Sequence, residues 1–330
     1  MDLPPPHTLV PGVGAVLLSL GLLGSTPDVA SAQAPDSAIV SAALAGLEYR
    51  EIGPALMGGR ISSLAVVESK PQHFLVGTGS GGLWKTENHG TSWTPLFDDQ
   101  PTSSIGDVAV YQANPNLIWV GTGEPQNRQS SPWGNGVYKS TDGGGTWIHM
   151  GLEETKHIGR VLIHPTNPEV VYVAAAGDLW AANPERGVYR TVDGGESWEL
   201  VLHIDEDTGA IDLAMDPSDP RTLFAAMYQR RRTGFGFNGG GPGSGLYRTL
   251  DGGDSWTELT DGLPAGDMGR IGVDVFRGDG NLVYALVEAN AVTADASFGG
   301  GDRGVEVQVR DELIGHAQED GAQEEPHDGR

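Results

Sequence analysis

Ser140–Trp147 reads STDGGGTW. Two hydroxyls close to an aspartate, followed by a glycine run and a tryptophan, could in principle hold a phosphate, an oxyanion or a sugar. Each of those chemistries needs partners elsewhere in the chain. A phosphate loop must open a helix, and the glycine runs here lead into turn signals instead. A serine nucleophile needs a strand-to-helix G-x-S-x-G elbow, whereas Gly241–Gly245, GPGSG, closes a loop ahead of an apolar run. The chain contains no cysteine, which removes thiolate nucleophiles, thiolate metal sites and disulfides. His157 and His164 lack ligand spacing, so no metal and no cofactor are expected. Glycoside hydrolysis remains, and it needs two carboxylates across a cleft. Asp107, Asp212 and Glu124 are the candidates, although no motif pairs them.

The box is one of four. Thr86–Trp93 (TENHGTSW), Thr191–Trp198 (TVDGGESW) and Thr249–Trp256 (TLDGGDSW) repeat it, and the tryptophans stand 54, 51 and 58 residues apart. Each box is preceded by three short apolar runs and followed by a fourth. In the second unit these are IGDVAVY, NLIWVGTG, NGVYK and TWIHMGL. Turn signals such as ANPN and PSDPR separate the first run from the second. Four short strands per unit, here termed A to D, repeated at this length, predict an all-β chain folded as a β-propeller. Four blades are complete, and Gly269–Ala289 supplies half of a fifth. The ring is expected to be incomplete.

Each box falls between strands C and D. Gly143, Gly144 and Gly145 are expected to supply the positive φ of a tight turn. Asp142, Asp193 and Asp251, with Asn88 in the first unit, are expected to cap that turn. Trp93, Trp147, Trp198 and Trp256 are expected to fill the cores between blades. One identical copy per blade suits a structural role and not a catalytic one.

The pattern S/T-x-D-x-G-x-S/T-W resembles the Asp box of BNR-type propellers. Over about Leu47–Ala289 the chain is similar to sortilin N-terminal-domain-like bacterial exported proteins, many described as glycosyl hydrolases. That resemblance rests on the boxes together with stretches such as EIGPALMGGRIS and HIGRVLIHPTNP. It implies an exported binding protein or, alternatively, a glycoside hydrolase of the xyloglucanase-like propeller type. In the propeller xyloglucanases a catalytic aspartate lies in a T-D-x-G-G stretch. The matching stretch here, Thr78–Gly82, is TGSGG, so Gly79 stands in the aspartate's place and cannot act as an acid or base.

In an A-B-C-D blade the boxes and A–B turns share one end, and the B–C loops lie at the other. Those loops are the irregular ones, and variable loops on a rigid scaffold are where function concentrates. They carry Arg128, Trp133, Trp180, Arg230, Arg231, Arg232 and Phe235, which are the expected ligand-binding residues. Arginine beside aromatic rings suits a carbohydrate, peptide or protein ligand. Strand A is expected to line the channel, with Ser63, Asp107, Arg160, Asp212 and Arg270 at equivalent positions forming a salt-bridge ring. The net charge of −24 argues against nucleic acid.

The remaining segments are read from composition. Residues 1–32 are expected to be a signal peptide, with the apolar run Val10–Leu23 and a cut after Ala32. Residues 33–46 form a linker, 47–289 the propeller blades, and 290–330 a divergent acidic, disordered tail. The expected location is periplasmic or extracellular, with no membrane span once the signal is removed. Binding without turnover is the first expectation for function, and glycoside hydrolysis is the alternative.

Overall fold

Five antiparallel sheets follow one another along the chain. Blade I is β1 (Ile61–Val66), β2 (Phe74–Thr78), β3 (Leu83–Thr86) and β4 (Thr94–Pro95). Blade II is β5 (Ile105–Val110), β6 (Ile118–Thr122), β7 (Val137–Ser140) and β8 (Ile148–His149). A short 3-10 turn, Glu153–Thr155, leads to blade III: β9 (Ile158–Ile163), β10 (Val171–Ala175), β11 (Gly187–Thr191) and β12 (Glu199–Leu202). Blade IV holds β13 (Thr208–Met215), β14 (Leu223–Thr233), β15 (Gly236–Gly239), β16 (Gly245–Thr249) and β17 (Thr257–Leu259). Blade V holds β18 (Met268–Val275), β19 (Leu282–Ala289) and β20 (Gly304–Arg310). This computed structural model describes residues 59–289 apart from 129, and the backbone of 304–310. The expected signal peptide and linker lie outside the described residues.

The hydrophobic core is divided among the blade-to-blade interfaces. Leu83, Phe97, Ile105 and Val120 pack between blades I and II. Val137, Ile158 and Val173 join blades II and III. Tyr172, Val188, Leu223 and Met227 join III and IV, and Phe224, Leu246, Ile271 and Val287 join IV and V. The second strands are therefore buried on both faces, as in β6 and β10. This is why their sequences run apolar without alternating.

Strand A of blades I to IV carries an extra residue at the same place, because the register slips between Ile61 and Ser63, Ile105 and Asp107, Ile158 and Arg160, and Ala210 and Asp212. At Gly106 and Gly159 this bulge meets the next blade. A Cβ on Gly106 would stand 2.1 Å from the Ile158 carbonyl oxygen, and one on Gly159 2.3 Å from that of Ile211. Absence of a side chain lets neighbouring backbones touch there.

The boxes turn the chain as expected, with two refinements. Gly143 and Gly144 have φ of +76° and +94°, and the pairs Gly194–Gly195 and Gly252–Gly253 match them. Gly145 has no positive φ, so only two left-handed residues are needed. Blade I fills the first with His89, φ 56°, followed by Gly90. The first left-handed residue of every box donates its N–H to the A–B turn of its own blade: His89 to Gln72, Gly143 to Asn116, Gly194 to Glu169 and Gly252 to Arg221. Boxes and A–B turns thus share one end, and the B–C loops lie at the other.

Asp193 accepts from the Thr191 hydroxyl (2.7 Å), the Ser197 hydroxyl (2.5 Å) and the Ser197 N–H (3.0 Å). Asp142 and Asp251 repeat the pattern. Asn88 keeps two of these bonds and reverses the third, donating from its amide to the Ser92 hydroxyl at 2.9 Å. Trp147 and Trp198 donate their indole N–H to Leu96 and Met150 of the preceding blade, each at 2.7 Å, and Trp256 packs on the core between blades III and IV. Trp93 departs from the expectation of a filled core. It stays 42% exposed against the edge of Phe74, because no preceding blade stands among the described residues.

Two expectations about the C-terminal part change. Gly304–Arg310 lies within the segment expected to be a disordered tail, yet it forms β20 and pairs along the whole of β19. The fifth sheet therefore has three strands, not two. Its sequence, GVEVQVR, alternates with a period of two, as a half-covered strand does. In addition, Arg277 in the A–B turn of blade V forms an ion pair with Glu68 in the A–B turn of blade I. The incomplete ring remains an expectation.

Candidate ligand-binding face

The channel side chains sort first, because they include the candidate acids. Ser63 donates to Asp107 Oδ1 at 2.5 Å, and Asp107 Oδ2 accepts the Val161 N–H at 2.8 Å. Arg160 stands 4.0 Å from Asp107 and 2.7 Å from Asp212. Asp212 in turn accepts the Val273 N–H at 3.1 Å. Each of these carboxylates joins its own strand A to the next one. Arg270 is not the fifth member of this ring. The register places Gly272 opposite Leu286, where Asp212 stands opposite Ala226. Arg270 instead reaches towards the Pro125 carbonyl.

Glu124 is also spoken for. It is fully buried and forms an ion pair with Arg60 of blade I. A Cβ on Gly79 would stand 2.8 Å from its carboxyl carbon. The place vacated by a side chain at 79 is thus filled from the neighbouring blade by a carboxylate already paired with arginine. Asp107, Asp212 and Glu124 each join neighbouring blades.

Glu124 begins a loop that ties four blades at the B–C end. From blade II it reaches Arg60 of blade I, while Arg230 of blade IV donates to the Pro125 and Gln126 carbonyls at 3.1 Å each. Asn127 donates to the Tyr228 hydroxyl at 2.9 Å, and Arg270 of blade V approaches Pro125. These contacts with non-neighbouring blades carry the loop across the channel mouth.

The triple arginine divides by strand alternation. The segment Gln229–Gly245, expected to be an irregular loop, begins as a hairpin in which Arg230–Thr233 of β14 pair with Gly236–Gly239 of β15. Arg230 is buried, with its charge spent on the carbonyls above. Arg231 points the other way and forms an ion pair with Asp207. Arg186, also fully buried, donates to the Asp207, Asp178 and Ala181 carbonyls. Burial pulls Arg186 and Arg230 down to about 10. His157 lies beside them with both ring nitrogens buried and without a well-formed hydrogen bond, and burial drops its pKa to about 3.

Arg232 differs from its neighbours. Its guanidinium lies 5.8 Å from the Trp180 ring and 5.6 Å from the Phe237 ring. The side chain is 7% exposed, and its Nε has no partner. Around it opens a cleft of about 600 Å³, lined by Asn127, Arg128, Trp180, Phe235 and Phe237 among others. Trp180 is 43% exposed, Phe237 54%, and Phe235 stands free at the hairpin tip. The cleft therefore gathers Arg128, Trp180, Arg232 and Phe235 of the expected set. Arg230 and Arg231 are spent inside the fold, and Trp133, though exposed, does not line the cleft. Asn127 and Phe237 were not in the expected set.

Sheets of this kind, packed face to face through boxes and bulges, recur in solved structures. An ancestral GH74 enzyme superposes with a TM-score of 0.54 at 20% identity, over 74% of this chain and 31% of that one. The GH74 xyloglucanase from Xanthomonas campestris gives 0.50 at 18% identity, over 68% of this chain and 36% of that one. Residues 135–289 match the Sortilin-Vps10 family model, described as sortilin, neurotensin receptor 3. The chain folds as a β-propeller and is similar to BNR-type propellers. Among curated relatives, a xyloglucanase from Paenibacillus sp is 25% identical over 245 residues, which is 65% of the propeller chain and 22% of the relative. An oligoxyloglucan-reducing end-specific xyloglucanase from Emericella nidulans is 30% identical over 145 residues, 40% of this chain and 17% of that one. The propeller thus spans about a fifth of the length of the curated relatives it matches. No described helix is long and apolar enough to cross a membrane.

Proposed function

We propose that this propeller is an exported carbohydrate-binding module that takes a glycan into the cleft between the B–C loops of blades II, III and IV. The observation that carries this reading is the set of exposed rings of Trp180, Phe235 and Phe237 gathered around Arg128 and Arg232. Flat aromatic surface packs on the C–H face of a sugar ring, and guanidinium N–H edges donate to its oxygens. Similarity to xyloglucanases supports a polysaccharide as the ligand and makes xyloglucan the first probe. Calorimetric titration with xyloglucan oligosaccharides tests it. Trp180→Ala should weaken binding by about tenfold, roughly 1.4 kcal/mol. An unchanged affinity would remove the cleft from the site.

Hydrolysis is the second reading, and it is favoured by the activity of the same relatives. Against it stand the three candidate carboxylates, each engaged between blades. Release of reducing ends from xyloglucan by purified protein, abolished in a folded Asp212→Asn variant, would establish turnover. Binding without release would leave the propeller as a binding module.

A further inference from the structure

We infer that the ligand of this cleft carries a carboxylate, as the uronic acid residues of an acidic glycan do, and that Arg232 receives it. This rests on the cleft being a glycan site. Arg232 is nine-tenths buried, and its Nε is buried without a partner. A buried cation without a counter-ion is costly. Its neighbours have each met that cost internally: Arg230 with carbonyls, Arg231 with Asp207, and Arg186 with carbonyls. Among the described ion pairs none engages Arg232 or Arg128, although the chain has 44 acidic residues against 20 basic ones.

The geometry says what kind of group is missing. The Trp180 and Phe237 rings stand 5.8 and 5.6 Å from the guanidinium carbon and attract its charge through their faces. A ring face takes no paired hydrogen bond, so the N–H groups remain as donors, and a carboxylate is the group that takes two of them at once. The cleft wall beside this fork is exposed aromatic ring, which suits the sugar that bears the carboxylate. Arg128 at the rim adds a second positive charge. The net negative charge of the protein does not oppose this, because at 0.1 M salt it is screened beyond about 10 Å while the fork acts in contact.

The test uses the propeller with three oligosaccharide probes: oligogalacturonate, its methyl ester, and a neutral xyloglucan oligosaccharide. Oligogalacturonate should bind at least tenfold more tightly than its methyl ester. Arg232→Gln should abolish that preference, so that oligogalacturonate and its methyl ester bind within about twofold of each other. Arg128→Gln, which alters an exposed side chain and leaves the fold alone, should reduce the preference in part. Equal affinity for acid and ester, or a preference that survives both variants, overturns the inference and leaves the glycan reading standing. Failure of all three probes overturns both. If an acidic peptide binds through Arg232 and the glycans do not, the carboxylate belongs to a protein partner and the uronate assignment falls.

Discussion

His157 offers a direct test of how the B–C end is packed. Its imidazole is buried beside Arg230 and Arg186, and its pKa falls from 6.5 to about 3. In the unfolded chain it titrates normally. Between the two values the unfolded state binds a proton that the folded state refuses. Stability is therefore complete above about pH 6.5 and is lost as the pH falls towards 3. The size of the gap puts the whole loss at ~5 kcal/mol and the part reached by pH 5 at ~2 kcal/mol. His157→Leu keeps a comparable volume and removes both unbonded nitrogens, so it should flatten this part of the profile. The assay is urea unfolding followed by tryptophan fluorescence at about pH 7.5 and pH 5. Wild type should lose about 2 kcal/mol more than the variant between the two conditions. His164, also lowered by partial burial, is present in both proteins and cancels. If both lose the same amount, His157 has its counter-charge or its solvent, and the packing described around Arg186 and Arg230 is wrong.

Three further expectations follow from the same contacts. Gly106→Ala forces a methyl group onto the Ile158 carbonyl and should cost ~3 kcal/mol or prevent folding, read from the urea midpoint; a neutral effect would refute the close approach of blades II and III. Asp107→Asn should destabilise by about 1–3 kcal/mol through the Ser63 and Val161 bonds and leave glycan affinity unchanged, whereas a selective loss of affinity would return Asp107 to the site. The box aspartates are held low by hydrogen bonds, Asp142 down to about 2 by the Thr146 N–H and hydroxyl and the Ser140 hydroxyl. Their contribution is therefore present above about pH 4 and lost as the pH falls through 2, and Asp193→Asn should make acid unfolding, followed by circular dichroism, begin at the same pH with a shallower slope.

The scaffold was legible because it repeats. Four tryptophans at near-constant spacing fixed the blade length, and the aspartate in STDGGGTW proved to be a turn cap by its copies. Blade-specific features were less legible. The bulge at Gly106 leaves only an I-G-D triplet in the sequence, and nothing there says that a neighbouring carbonyl lies above the glycine. The segment RRRTGFGFNG was read as loop because its glycines outnumber its apolar residues. Its hairpin pattern is present all the same: four paired positions on either side of a Gly-Phe turn. Read as a hairpin, alternation would have separated Arg231 from Arg230 and Arg232. No local pattern could separate Arg230 from Arg232, which share a strand face, because Pro125 and Gln126, the partners of one, come from about a hundred residues earlier in the chain.

The two ends of the blades differ in how completely their polar atoms are satisfied. At the box end, each aspartate takes three bonds, each first left-handed residue donates to an A–B turn, and two of the box tryptophans donate to the blade before, while the Nε1 atoms of Trp119 and Trp256 and the Nε of Arg190 are buried without a bond. At the B–C end the described residues leave the Nε atoms of Arg230, Arg231 and Arg232, the Gln126 Oε1 and both His157 nitrogens buried without a bond. Native structures seldom leave such atoms unbonded without a compensating role. Six such atoms lie on these B–C-end residues, against the three at the box end. The repeat that fixes the blades ends with the four strands, and the loops beyond it are free to keep donors for a ligand. A propeller whose B–C loops only closed turns would have no reason to hold Arg232 between two aromatic rings without an ion-pair partner among the described residues.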